Sequence, residues 1–149
     1  STNRDNYYLS YRVDDRFAAS LEQNNGYDHM VSTARDYPTG AWYHVVSVYD
    51  EATLTLYVNG ISAGFVLIGD VTPYMGSAPL RIGNYMNSTH IPAAGAFLGA
   101  IDDVRIFDAA LDEGELRALA GVIPEPLSAG AVLVGFGCTA RYILRRRRN

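Results

Sequence analysis

The stretch that decides the fold is TLTLYVNGISAGFVLIG, residues 53–69. Leu54, Leu56 and Val58 alternate with Thr53, Thr55 and Tyr57, the period-two pattern of a strand with one buried face. Asn59-Gly60 follows at once. Both residues tolerate positive φ, so the pair predicts a tight hairpin turn, with ISAGFVLIG as the returning strand. Upstream, AWYHVVSVYD (41–50) alternates as well, with Trp42, His44, Val46 and Val48 on one face and Tyr43, Val45 and Tyr49 on the other. Trp42 is expected to face inward between two sheets. A short Asp50-Glu51-Ala52 turn joins this segment to residue 53.

The same alternation runs outward in both directions. YYLSYRV (7–13) places Tyr7, Leu9, Tyr11 and Val13 together, and RFAASLE (16–22) does so for Phe17, Ala19 and Leu21. LRIG (80–83) and GAFLGAIDDVRIF (95–107) read as two more strands. Short strands separated by turn residues predict an all-β antiparallel sandwich. One short helix closes it: in LDEGEL (111–116), Asp112 and Glu115 have the spacing of a capping box, and Leu111 and Leu116 that of a hydrophobic staple. The helix is expected to end near Gly121, which divides the chain into a sandwich over 1–121 and a tail over 122–149.

Charge follows that division. The chain has 149 residues and a net charge of −4. Residues 1–121 carry 7 arginines against 15 acidic residues, a net −8, whereas 122–149 carry 5 arginines against Glu125, a net +4. An acidic body repels nucleic acid, so no nucleic-acid partner is expected.

Taken together, WYHVVSVYDEATLTLYVNG, LRIG and GAIDDVRIFDAALDEGEL resemble the laminin-G-like branch of the concanavalin A-like lectin/glucanase sandwiches. The resemblance implies a jelly-roll sandwich and a recognition role. Such domains usually have strands ahead of the matching region, so the chain is expected to be N-terminally truncated. The resemblance also implies a calcium ion at the sandwich rim. Asp28, Asp70, Asn84 and Asn87, all placed in loops by this reading, offer hard oxygen ligands. Solvated loop acids are the alternative for the same residues.

Catalysis finds little support. Relatives that hydrolyse glycans align carboxylates in a Glu-x-Asp-x-Glu strand, where period two aims all three at one face; no such run occurs here. Asp14-Asp15 and Asp102-Asp103 are adjacent, and neighbours on a strand point to opposite faces. His29, His44 and His90 lack ligand spacing. The chain is therefore read as non-enzymatic, a glycan- or protein-binding module. The alternative is an accessory domain of a surface glycan-active enzyme whose catalytic part lies upstream. Binding is expected at the loops 70–79 and 84–96, where Tyr74 and Tyr85 could stack on sugar rings and Asn87, Thr89 and His90 could bond hydroxyls.

The tail, IPEPLSAGAVLVGFGCTARYILRRRRN (123–149), resembles a PEP-CTERM sorting signal. Pro124, Glu125 and Pro126 form the motif, an apolar segment follows, and Arg145, Arg146, Arg147 and Arg148 end it. The resemblance implies export, a pause in the inner membrane through residues 127–144, and release by an exosortase-like protease to the cell surface or extracellular matrix. Residues 127–140 are uncharged, about 21 Å as a helix. Adding 141–144 gives about 27 Å if Arg141 snorkels, against a hydrocarbon core of about 30 Å. This predicts a separate C-terminal hydrophobic helix with its arginine end cytoplasmic. In a host with the matching protease, intact mass of surface-extracted protein should show loss of the apolar segment and the arginines. Full-length chain ending at Asn149, with and without the protease gene, would instead mean a permanent anchor.

Overall fold

The computed structural model describes residues 6–76, 79–84 and 96–121. Within them the chain forms six strands and one helix: β1 (Tyr7–Tyr11), β2 (Phe17–Glu22), β3 (Asp28–Ser32), β4 (Val45–Tyr49), β5 (Thr53–Val58), β6 (Ile61–Leu67) and α1 (Glu113–Ala120). The strands make two antiparallel three-stranded sheets, ordered β1-β2-β3 and β4-β5-β6. They meet face to face through β2 and β3 on one side and β5 and β6 on the other.

The core lies where the predicted alternation put it. Ala19, Leu21 and Val31 from the first sheet pack with Leu54 and Leu56 from the second, Leu56 being fully buried. Phe17, Val45, Tyr49, Val66, Ile68 and Val71 close around them. The Asn59-Gly60 turn forms as expected, with φ of 53° and 73°. It is also a landing site for the helix, since a Cβ on Gly60 would lie 3.0 Å from the Arg117 Cα. In α1 the capping box is complete: Asp112 Oδ1 accepts from the Glu115 amide, and Glu115 Oε2 accepts from the Asp112 amide, each at 2.9 Å. Such a cap satisfies two amides that the helix itself leaves unbonded. Leu116 is fully buried and Gly121 is the C-cap.

Three expectations need correction. First, β4 starts at Val45, not Ala41, and its core-packing side chains are Val45 and Tyr49. Trp42 lies ahead of the strand and is only half-buried. The partner strand turns at Asn59-Gly60, so the pairing ends where the Asn59 amide donates to the His44 carbonyl at 2.8 Å, and residues 42–43 have no strand opposite them among the described residues. The Asn59 side chain also accepts the His44 amide, at 2.9 Å. Second, LRIG and the described part of GAFLGAIDDVRIF form no strands. Phe97 N bonds Gly83 O at 2.9 Å, but no ladder follows among the described residues. Asp103 turns to a φ of 53°, its amide bonds the Asp102 carboxylate, and its own carboxylate binds Arg105 in a fork. Alternating apolar residues do not make a strand without a neighbour for the backbone. Third, Asp28 opens β3 rather than lying in a loop. The tail lies outside the described residues, among which no helix is long and apolar enough to cross a membrane.

The sheets approach closely at Gly64, where Ala34 N donates to Ala63 O at 2.9 Å and a Cβ on Gly64 would lie 2.5 Å from Ser32 O. A backbone atom cannot swing aside as a side chain can. Gly64→Ala should therefore cost about 1–3 kcal/mol, the scale of overpacking a tight site, read as a lowered urea midpoint. An unchanged midpoint would mean the sheets are not held at this contact.

Candidate functional site

Tyr74, one of the expected ligand residues, is held by a short stretch of β-like pairing. Gln23 and Pro73 form an antiparallel bridge. Around it, Asn24 N donates to Thr72 O at 3.0 Å and Tyr74 N to Glu22 O at 2.7 Å. Two residues on, Gly76 N donates to Asn6 Oδ1 at 3.0 Å. The Tyr74 ring lies so close to Gly76 that a Cβ there would be 2.8 Å from its edge. Since Pro73 pairs with Gln23, strand alternation puts Tyr74 on the face of Glu22.

That face is the outer side of the first sheet, away from the core. Along β2 it carries Ala18, Ser20 and Glu22, all buried. Ser20 is paired with Tyr8 on one side and Met30 on the other. The Tyr8 hydroxyl donates to Met30 Sδ at 3.2 Å, so the two side chains close over the serine between them. Glu22 stands directly opposite Asp28 across β2 and β3. Opposed residues in such a pair have Cβ atoms about 4.5–5.5 Å apart. The Ser20 hydroxyl donates to Asp28 Oδ1, and the Asp28 side chain remains exposed.

Glu22, Ser20 and Tyr8 were not among the expected site residues. The signal for them lies in EQNNGYD (22–28). Gly26 at φ 89° and the bond from Gln23 N to Tyr27 O make a three-residue hairpin loop, which fixes Glu22 opposite Asp28. Searching for acids adjacent in sequence overlooks a pair made by register.

Three of the four expected oxygen ligands are described, and Asn87 lies outside the described residues. Asp28 belongs to the sheet face, Asp70 lies in a bend after β6, and Asn84 ends the described LRIG segment with its Oδ1 buried and unbonded among the described residues. Among the described residues no group of three His, Cys, Asp or Glu could hold a metal. Tyr85, Asn87, Thr89 and His90 lie outside the described residues.

At the other end of the molecule Tyr11, Phe17, Tyr37 and Tyr43 form a cluster with ring centroids 5.2–5.7 Å apart. Tyr11 donates to Asp15 at 2.7 Å, and that bond is the main reason its phenol is pushed up to about 12. Tyr37 is buried and Tyr43 bonds the Pro38 carbonyl, so these rings form a satellite core. An apolar groove beside α1, lined by Phe107, Leu111, Ala118 and Leu119, has Glu115 as its polar residue, and that carboxylate is committed to the capping box.

His44 lies just ahead of β4 and is half-buried. Its Nδ1 is buried and has no hydrogen-bond partner among the described residues, and burial, helped by the Arg105 charge, lowers its pKa; Asp103 opposes the shift. A histidine depressed in the folded state is protonated first in the unfolded chain. Its stabilising contribution is therefore present at high pH and lost as pH falls below about 6.5. Urea midpoints should fall between about pH 7.5 and pH 5.5, and His44→Gln should flatten that dependence. A variant titrating like wild type would place the sensitivity elsewhere.

A comparison with curated proteins gives no match. Among solved structures the chain is similar to residues 221–444 of an S-layer domain-containing protein from Clostridium thermocellum. The match has 26% identity and a TM-score of 0.46, and covers 80% of this chain and 59% of that one. The chain thus spans less than two thirds of that relative. A laminin-G family model described as concanavalin A-like lectin/glucanases superfamily matches residues 1–117. Two facing antiparallel sheets with a capped terminal helix agree with that match, and the chain belongs to the concanavalin A-like lectin/glucanases superfamily.

Proposed function

We propose that the protein is a carbohydrate-binding module of the cell surface or extracellular matrix, without catalytic activity of its own, delivered by its C-terminal sorting segment. Family membership supports a sugar ligand. The observation that carries the reading is the fixing of Tyr74 beside Glu22, at the end of a sheet face that also presents Asp28 and Tyr8. Aromatic rings with nearby hydrogen-bonding groups suit a sugar, which has an apolar ring face and a rim of hydroxyls.

Glycoside hydrolysis also uses two carboxyl groups, so the Glu22–Asp28 pair bears on that alternative. It needs an acid shielded from water and a pocket around the scissile bond. Glu22 is the shielded member of the pair, whereas Asp28 is exposed and already held by the Ser20 hydroxyl, which favours binding over cleavage.

A glycan array probed with the full chain should show hits. Tyr74→Ala should weaken them by about 0.5–1.5 kcal/mol, the scale of one aromatic contact. A blank array would defeat the carbohydrate reading and leave a protein ligand. Hits indifferent to Tyr74 would remove the loop from the site.

A further inference from the structure

We infer that Asn25 is a site of spontaneous self-modification, at which the folded β2–β3 loop converts a side-chain amide to an acid. The other Asn-Gly pair, Asn59-Gly60, is held unreactive by the fold. The inference is independent of the carbohydrate-binding reading.

An asparagine followed by glycine loses ammonia when the next backbone nitrogen attacks its side-chain carbonyl carbon. Glycine has no Cβ to hinder that approach, and the two groups are already neighbours. The sequence has two such pairs, Asn25-Gly26 and Asn59-Gly60. Residue order does not tell them apart; their surroundings do.

Asn25 and Gly26 are both exposed at the tip of the loop between β2 and β3. Asn25 Oδ1 accepts the Tyr27 amide at 2.9 Å. That bond reaches over the intervening residue, so it draws the side-chain carbonyl back toward the Gly26 nitrogen. It also aims a backbone donor at the oxygen on which negative charge develops during attack. The Gly26 amide donates to Gln23 O at 2.8 Å, and hydroxide reaches this exposed loop to take its proton. The Gly26 nitrogen then bonds to Asn25 Cγ as the Cγ–Nδ2 bond breaks. The leaving nitrogen takes a proton from water and departs as ammonia, which regenerates hydroxide. Water opens the five-membered imide at either carbonyl, giving aspartate or isoaspartate.

Asn59 differs on each count. Its Oδ1 accepts the His44 amide at 2.9 Å and its own amide donates to the His44 carbonyl at 2.8 Å, so the residue is tied across the hairpin rather than over Gly60. Gly60 is buried against α1, where a Cβ would lie 3.0 Å from the Arg117 Cα and 3.3 Å from the Ala120 Cβ. An imide ring across this turn would have to displace the helix. At Asn25 nothing comparable stands in the way, and the product has a consequence. Isoaspartate routes the backbone through Cβ and Cγ, lengthening the loop that sets Glu22 opposite Asp28, and either product adds a negative charge near those two acids.

The test incubates the folded full chain in mildly alkaline buffer and maps its peptides for the amide-to-acid mass gain, with isoaspartate labelling in parallel. The fragment holding Asn25 should convert at least tenfold faster than the one holding Asn59, at a rate proportional to hydroxide. In urea above the unfolding midpoint the two rates should converge. Asn25→Gln, whose carbonyl carbon lies one methylene farther away, should abolish conversion in its fragment with circular dichroism unchanged. Asp112→Ala, which removes the helix cap, should speed Asn59 and leave Asn25 unchanged. Equal rates at the two sites in the folded chain would overturn the inference, as would an Asn25 that converts only once unfolded. An Asn59 rate indifferent to Asp112 would overturn the part assigned to α1.

Discussion

The architecture depends on how closely β3 can approach β6. Gly64 stands against the Ser32 carbonyl with no room for a methyl group, and one backbone bond, Ala34 to Ala63, joins the two sheets there. That contact brings Val31 and Leu21 over Leu54 and Leu56, and burial of these side chains supplies the main stabilisation of the core. The hairpin turn at Asn59-Gly60 does a second job of the same kind, because absence of a Cβ at Gly60 lets α1 settle against it.

Fixing the inner face also fixes the outer one. In a strand the two faces are complementary, so a register that turns Ala19 and Leu21 inward must turn Ala18, Ser20 and Glu22 outward. The candidate site is thus a by-product of the core: the same hairpin that aligns Leu21 with His29 also aligns Glu22 with Asp28. The 72–76 segment then adds Tyr74 by pairing with the end of β2 beyond the first residues of β1.

Much of this is legible in residue order. The β1, β2, β5 and β6 segments, the Asn59-Gly60 turn and the Asp112–Glu115 cap all depend on local chemistry: period two, tolerance of positive φ, and a side chain within reach of its own helix end. The misreadings share a different cause. AWYHVVSVYD alternates well, yet its first residues are not strand because the opposite chain has already turned. GAFLGAIDDVRIF alternates too, but the described residues offer it no ladder, and Asp103 breaks the extended path. In both cases the strand pattern is present and the described residues supply no ladder for it.

The sequence by itself determined the all-β class, the alternation that selects the core, the turn, the cap, and the separation of an acidic body from a basic tail. These follow from interactions between residues a few positions apart. Tertiary structure decided where β4 begins, so that Trp42 precedes it and is only half-buried, and that Asp28 belongs to a sheet face rather than a loop. It also decided that Glu22, Asp28, Tyr8 and Tyr74 share one surface. The physical reason is that strand pairing is completed between segments distant along the chain, and which side chains become neighbours depends on a register that no single segment contains.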